Sequence, residues 1–132
     1  MRAILDSGPL IALWNAEPEH LLWVEEVFKR FAGPYYVTEP VLTEVAHLTG
    51  RDKLIIEALK SGKFLVPEGL LDQLEDIQSS LQKFSHCDLA DASVIALSAR
   101  YRRVSVLSLD RRHFITYRRA DGSRVPVVLP DT

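Results

Sequence analysis

Short strand-like runs of apolar residues alternate along the chain with longer stretches of helical periodicity. Compact β-branched or aromatic runs predict buried strands, and apolar residues recurring every three or four positions predict amphipathic helices. The predicted strands are residues 2–6, 35–37, 64–66, 104–109 and 125–129. The predicted helices are residues 10–14, 17–31, 38–50, 51–61, 69–83 and 85–100. This alternation predicts a three-layer α/β/α fold whose central sheet is mainly parallel.

Four carboxylates occupy positions that such a fold can bring together. Asp6 follows the first predicted strand and Asp110 follows the fourth, at the edge where open parallel sheets bind ligands. Glu44 and Asp91 lie among apolar neighbours on predicted helices. Each has a simpler explanation alone: turn formation for the strand-end residues, ion pairing for Asp91 and solvent exposure for Glu44. Together they predict one acidic site.

An acidic site of this kind requires a cation, because packed carboxylates otherwise repel one another and take up protons. All-oxygen ligation favours Mg²⁺, with Mn²⁺ as the other candidate, and a single cysteine, Cys87, excludes a Cys-based zinc cluster. Such a metal site suits phosphodiester hydrolysis by an activated water. The four histidines share no spacing and are interpreted as structural or surface residues: His20, His47, His86 and His113.

Asp88 is a second candidate on the same predicted helix as Asp91. The two are three residues apart and therefore share a helical face. Ser85 and Asp88 match a capping box at the start of this helix, which favours a structural role for Asp88.

Four segments resemble, in order and spacing, the motifs of PIN-domain proteins. They are residues 4–13 (ILDSGPLIAL), 41–45 (VLTEV), 88–96 (DLADASVIA) and 106–114 (VLSLDRRHF). The resemblance covers nearly the whole chain, which we interpret as one PIN-like domain over residues 1–132. Within that family the chain looks most like the VapC-type toxins of bacterial toxin–antitoxin pairs.

The resemblance implies an Mg²⁺-dependent endoribonuclease that acts on RNA as a homodimer. It also implies inhibition by a small antitoxin, a segment of which covers the groove that contains the acidic site. The implied catalytic and metal-binding residues are Asp6, Glu44, Asp91 and Asp110. Asp91 is preferred to Asp88 because its interval of 19 residues to Asp110 suits the family, and Asp88 is left as a supporting group or a ligand of a second ion. Ser7 and Ser108, where many relatives carry Thr, are implied polar supports of the site.

The net charge of −2 hides an asymmetry along the chain. Residues 1–99 contain 8 Lys and Arg against 15 Asp and Glu, whereas residues 100–132 contain 8 Arg against 3 Asp. The basic end is either a solvated face, an antitoxin contact or a phosphate-binding surface beside the acidic site. The candidates for contacts with RNA phosphates are Arg111, Arg112, Arg118 and Arg119.

Length and composition fit a globular domain, with 132 residues of which 47% are hydrophobic. The N-terminus has no apolar region of the signal-peptide kind, and no apolar run approaches the ~20 residues that span a bilayer. We therefore expect a cytoplasmic protein with no membrane partner.

Two other functions are weighed against the nuclease. One is a PIN fold that only binds RNA or protein and has lost catalysis. The other is a phosphatase of the haloacid-dehalogenase type, or a phospho-receiver, with Asp6 as the phosphorylated residue. Gly8 stands where the dehalogenase motif has a second Asp, and Asp110 stands where a receiver has Lys.

Overall fold

Five short parallel strands form the centre of the molecule in a computed structural model that describes residues 2–131. The strands are β1 (Ala3–Leu5), β2 (Tyr35–Tyr36), β3 (Phe64–Leu65), β4 (Val106–Leu107) and β5 (Val127–Val128). They are ordered β3-β2-β1-β4-β5, and every pairing between neighbours is parallel. In this register Ile4 lies between Tyr36 and Val106. The predicted α/β class with a parallel central sheet is confirmed.

Helices flank the sheet. They are α1 (Ser7–Trp14), α2 (Leu21–Arg30), α3 (Glu39–Thr49), α4 (Asp52–Ser61), α5 (Leu74–Lys83), α6 (Leu89–Arg100) and α7 (Arg111–Phe114). A 3₁₀ turn at Leu70–Gln73 precedes α5, where the sequence predicts one continuous helix over 69–83. No helix within the described residues is both long enough and apolar enough to cross a membrane.

The core is centred on β1 and α6. The three residues of β1 are completely buried, and eight of the 12 residues of α6 are buried. A helix that is apolar on most of its circumference is one that the rest of the fold surrounds, and α6 packs against α3, α5 and β1. Asp91, in the first turn of α6, is therefore carried by one of the most enclosed elements of the fold.

Two helix starts differ from the sequence-based prediction for an identifiable reason. Asp88, and not Ser85, caps α6, because its Oδ1 accepts a hydrogen bond of 2.8 Å from the backbone N–H of Asp91. The prediction of a capping box formed by Ser85 and Asp88 is thus wrong, and α6 begins at Leu89. Residues 111–114, for which the sequence predicts no helix, form α7 because Asp110 accepts a hydrogen bond of 3.1 Å from the N–H of His113.

The direction of chain travel across the sheet reverses between β1 and β4. From β1 the chain proceeds to β2 and β3 on one side, and from β4 it proceeds to β5 on the other. In open parallel sheets the loops that leave such neighbouring strands diverge and leave a crevice beyond the carboxyl ends. Asp6 and Asp110 follow these two strands and therefore flank the crevice.

Candidate functional site

Ser108 joins the ends of β1 and β4 beneath the crevice. Its buried hydroxyl donates a hydrogen bond of 2.7 Å to Oδ2 of Asp6 and accepts one of 3.0 Å from the backbone N–H of Asp110. Asp6 is only 6% exposed. One hydroxyl thus sets the position of one carboxylate directly and of the other through its backbone. The supporting role that the resemblance implies for Ser108 agrees with these contacts.

Glu44 and Asp91 reach the same crevice from α3 and α6. The two helices are linked by a buried hydrogen bond of 2.7 Å between the hydroxyls of Thr38, the N-cap of α3, and Ser93 of α6. This contact fixes the relative position of the helices that carry the two acids.

All four predicted carboxylates line one open pocket of about 430 Å³ at the crevice. Its lining residues are Asp6, Ser7, Gly8, Glu44, His86, Asp88, Asp91, Leu109, Asp110 and His113. Five of these ten residues are acidic. The structure therefore brings the predicted acids to one place, together with Asp88 and Ser7.

Among the described residues, no Lys or Arg balances the negative charge of the pocket, and Asp110 alone among the four acids pairs with a histidine, His113. Among residues 2–131, no Lys or Arg nitrogen lies within 4.0 Å of a carboxylate oxygen of Asp6, Glu44, Asp91 or Asp110. The ion pair considered for Asp91 is thus not formed. Asp91 is instead held by Tyr117, whose hydroxyl donates a hydrogen bond of 2.8 Å to Oδ2.

Burial of these acids perturbs their protonation. Burial raises the pKa of Asp6 from 3.8 to about 7, the Ser108 hydrogen bond opposes this rise, and the charges of Asp91 and Glu44 add to it. Burial also raises the pKa of Asp91 to about 6, against the opposing hydrogen bond from Tyr117. Without a cation, Asp6 and Asp91 of the folded protein therefore stay protonated up to pH values well above those at which carboxyl groups usually ionise.

The spacing of the acids fits a divalent cation that keeps several water ligands better than one that is bound directly by three or more carboxylates. Within the part of the chain that is described, no three of the four carboxylates have oxygens all within 4.8 Å of one another. Mg²⁺ usually takes one or two protein carboxylates and keeps several of its waters. The four carboxylates offer only oxygen donors and have no Lys or Arg within 4.0 Å among the described residues, which suits them chemically to such an ion.

Two pocket residues were missed by the sequence reasoning, which treated the histidines as structural or surface groups. His86 and His113 both line the pocket. Nδ1 of His113 lies 2.9 Å from Oδ2 of Asp110. The spacing of three residues between Asp110 and His113 is that of an N-cap and the third residue of a helix, a signal that the sequence contained.

Tyr117 is the third residue that the sequence reasoning missed. It is 1% exposed and packs edge-on against Phe84 and Phe114, with ring centroids 5.2 and 5.0 Å away. No local pattern marks Tyr117, because its contact with Asp91 spans 26 residues.

The arginine-rich end is less available to a ligand than its composition indicates. Arg119 is 5% exposed, and its guanidinium donates hydrogen bonds to the hydroxyl of Ser98 and to the carbonyl of Arg102. The phosphate contact predicted for Arg119 is therefore wrong, because the side chain is committed inside the fold. The guanidinium of Arg118 donates a hydrogen bond to the carbonyl of Tyr117, whereas the side chain of Arg112 is exposed.

Comparison with known proteins gives one informative relative. No protein-family model matches the chain. Ribonuclease VapC26 of Mycobacterium tuberculosis (strain ATCC 25618 / H37Rv) is 28% identical over 134 residues, which cover 95% of this chain and 98% of that protein. The similarity extends over nearly the full length of both proteins and supports the VapC-type resemblance that the four motifs indicate.

Replacing Asp6 by Asn is expected to stabilise the metal-free protein at high pH. The folded-state pKa of Asp6 is raised, so its contribution to stability is fully present below pH 3.8 and is lost as the pH rises to about 7. Asn carries no charge and its carbonyl can still accept from Ser108. Above about pH 7 the free energy of unfolding of Asp6→Asn should therefore exceed that of the wild type, by up to about 4 kcal/mol.

Urea unfolding over a pH series in a chelating buffer measures this difference. The control is Glu57→Gln, an exposed change on α4 that should follow the wild type at every pH. A difference between Asp6→Asn and wild type that does not grow with pH contradicts the assignment of a raised pKa to Asp6.

Proposed function

We propose that the protein is a Mg²⁺-dependent endoribonuclease that acts in the cytoplasm as the toxin of a toxin–antitoxin pair. The observation that carries the proposal is the convergence of four carboxylates on one pocket without a Lys or Arg partner among the described residues. The similarity to Ribonuclease VapC26 along nearly the whole chain supports the choice of RNA as the substrate.

The proposed metal-binding and catalytic residues are Asp6, Glu44, Asp91 and Asp110. When bound, Mg²⁺ or Mn²⁺ lowers the pKa of a water ligand and stabilises charge on the attacking and leaving oxygens of the phosphodiester. The protein's own hydrogen bonds prepare the acids for this role. Ser108 orients Asp6, Tyr117 orients Asp91, and His113 orients Asp110.

The proposed contacts to RNA phosphates come from Arg111, Arg112 and Arg118. Arg112 is exposed two residues after Asp110, and Arg111 is exposed while one of its nitrogens donates to the carbonyl of Pro130 at 2.6 Å. Such contacts add affinity that falls as salt rises. They would offset the repulsion between the phosphates and the acidic pocket.

The proposed protein partners are a second copy of the chain and a small cognate antitoxin. An antitoxin segment that places a basic side chain in the pocket would neutralise acids that have no Lys or Arg partner among the described residues. The same property that suits the pocket to a metal thus suits it to this form of inhibition.

A phosphatase of the haloacid-dehalogenase type is disfavoured by the geometry around Gly8. A Cβ at this position would lie 3.3 Å from side-chain atoms of Leu109, so the second Asp of that motif has little room.

Asp6→Asn should abolish RNA cleavage while the fold remains intact. We expect a loss of about 100-fold or more, because the substitution removes a charged ligand from the centre of the site. The measurement is cleavage of a labelled single-stranded RNA with Mg²⁺ and with a chelator, and Glu57→Gln should retain wild-type activity. Equal cleavage by Asp6→Asn and wild type in Mg²⁺ would remove Asp6 from the mechanism.

Controlled expression in bacteria separates a toxin from the other functions. Wild type should arrest growth and produce discrete RNA fragments, and Asp6→Asn should do neither. A catalytically inactive PIN module would give no fragments with either protein. A phosphatase would instead release phosphate from a small ester and form a phosphoaspartate at Asp6.

Tyr117→Phe should weaken Mg²⁺ binding while the packing of the ring is retained. The hydroxyl of Tyr117 lowers the pKa of Asp91, so its loss leaves a carboxylate that is less ionised and less firmly oriented. Loss of a contact that orients a metal ligand typically costs about 10- to 100-fold in affinity. Calorimetric titration with Mg²⁺ in the absence of RNA measures it.

The matched control is Tyr35→Phe. Tyr35 also uses its hydroxyl internally, on the carbonyl of Phe31, but it lines a different pocket. This variant should bind Mg²⁺ like the wild type. Equal weakening in both variants would mean that general loosening of the fold, and not the contact with Asp91, is responsible.

A further inference from the structure

Three aromatic rings form a stack that leads from the core to the rim of the acidic pocket. The ring of His113 stacks on Tyr117 with centroids 6.2 Å apart and planes 19° apart. His86 packs on His113 with centroids 5.3 Å apart and planes 32° apart. The buried end is Tyr117 and the exposed end is His86, which lies in the turn between α5 and α6. We call these three residues the aromatic stack.

The inner part of the aromatic stack is held in place by the carboxylates. His113 contacts Oδ2 of Asp110 through Nδ1, and Tyr117 donates its hydroxyl to Oδ2 of Asp91. Two of the three rings are therefore oriented by the acids of the pocket. Because His86 packs on His113, these two contacts also determine where His86 lies relative to the acids.

His86 differs from the other two rings in having no polar anchor. Within residues 2–131, its side chain takes part in no hydrogen bond and no ion pair, and its ring contact is the stack on His113. It is exposed, and it lines the acidic pocket. An exposed ring supported from behind by a second ring offers a flat surface to another planar group.

The charge of the pocket indicates which planar group would stack on His86. Five acidic side chains repel the phosphates of a ligand, so a contact that does not depend on charge adds to the ligand's affinity. Nucleobases stack on aromatic side chains, including His, in single-stranded RNA. In a duplex the faces of the bases are covered by their neighbours, so such a platform favours unpaired RNA.

We propose that His86, supported by His113, is a nucleobase platform that receives a base flanking the phosphate in the acidic pocket. This inference rests on the proposed function, because it assumes that RNA is the substrate. It adds a binding residue outside the acidic quartet and a contact, stacking of a base, that the acids do not supply.

The test measures binding and stacking together, in an Asp6→Asn background that prevents cleavage. The probe is a single-stranded RNA of mixed sequence that carries 2-aminopurine, whose fluorescence falls when the base stacks. Three further substitutions are compared in Mg²⁺: His86→Ala removes the ring, His86→Gln keeps a polar side chain, and His86→Phe keeps only an aromatic face.

The proposal predicts a ranking by aromatic character. His86→Phe should bind within about 2-fold of the parent and quench 2-aminopurine, whereas His86→Ala and His86→Gln should lose roughly 5- to 150-fold in affinity and most of the quenching. In the cleaving protein, the same two variants should raise KM more than they lower kcat. A fully paired RNA of the same sequence should show no dependence on His86.

Two results overturn the platform while the nuclease stands. One is cleavage by wild type together with unchanged binding and quenching by His86→Ala. The other is His86→Phe binding as weakly as His86→Ala, which assigns the contact to the ring nitrogens and not to stacking. If wild type neither binds nor cleaves RNA, the proposed function fails and the platform fails with it.

Discussion

The buried, uncompensated carboxyl of Asp6 is the constraint on which the rest of the site depends. It is 6% exposed at the junction of β1 and β4, and its pKa is raised to about 7 by that burial. A fold that only needed a turn at this point would not place an acid there, since an ionised carboxyl out of water is costly without a positive partner. Its hydrogen-bond partner is the neutral hydroxyl of Ser108, and within the described residues no Lys or Arg lies beside it. The remaining charge is left for a ligand to balance.

The other acids are organised around the same point by contacts that join distant parts of the chain. Thr38 and Ser93 join the helices that carry Glu44 and Asp91, and Tyr117 reaches Asp91 from beyond α7. The first contact is buried and the second is partly buried, so the packed interior of the fold holds the helix of Glu44 and the carboxylate of Asp91. In the proposed function, a divalent cation and a basic side chain of an antitoxin are alternative ways of neutralising this negative charge. A stack of rings that starts at the carboxylates extends the site outward to a neutral contact for a base.

The architecture was predictable because strand and helix periods differ clearly along this chain. Five strands and a parallel sheet followed from apolar runs such as residues 3–5, and Asp6 and Asp110 followed from the rule that parallel strands end at one edge. Helix starts were less predictable, since Ser85 and Asp88 are both good caps and only the tertiary structure chooses between them. Tyr117 and the burial of Arg119 were not predictable, because each depends on contacts between segments that no local pattern records. His113 differs, since it follows Asp110 at the spacing of a helix cap.

We propose that the four carboxylates share a divalent cation, and an anomalous difference map from crystals of the protein soaked in Mn²⁺ tests this. A peak is expected in the pocket between β1 and β4, within ligand distance of Asp6 or Asp91 and with water-mediated contacts to the other acids. A pocket without a peak, or Mn²⁺ bound only at the partly buried group formed by Glu17, Glu19 and His20, would contradict the shared site.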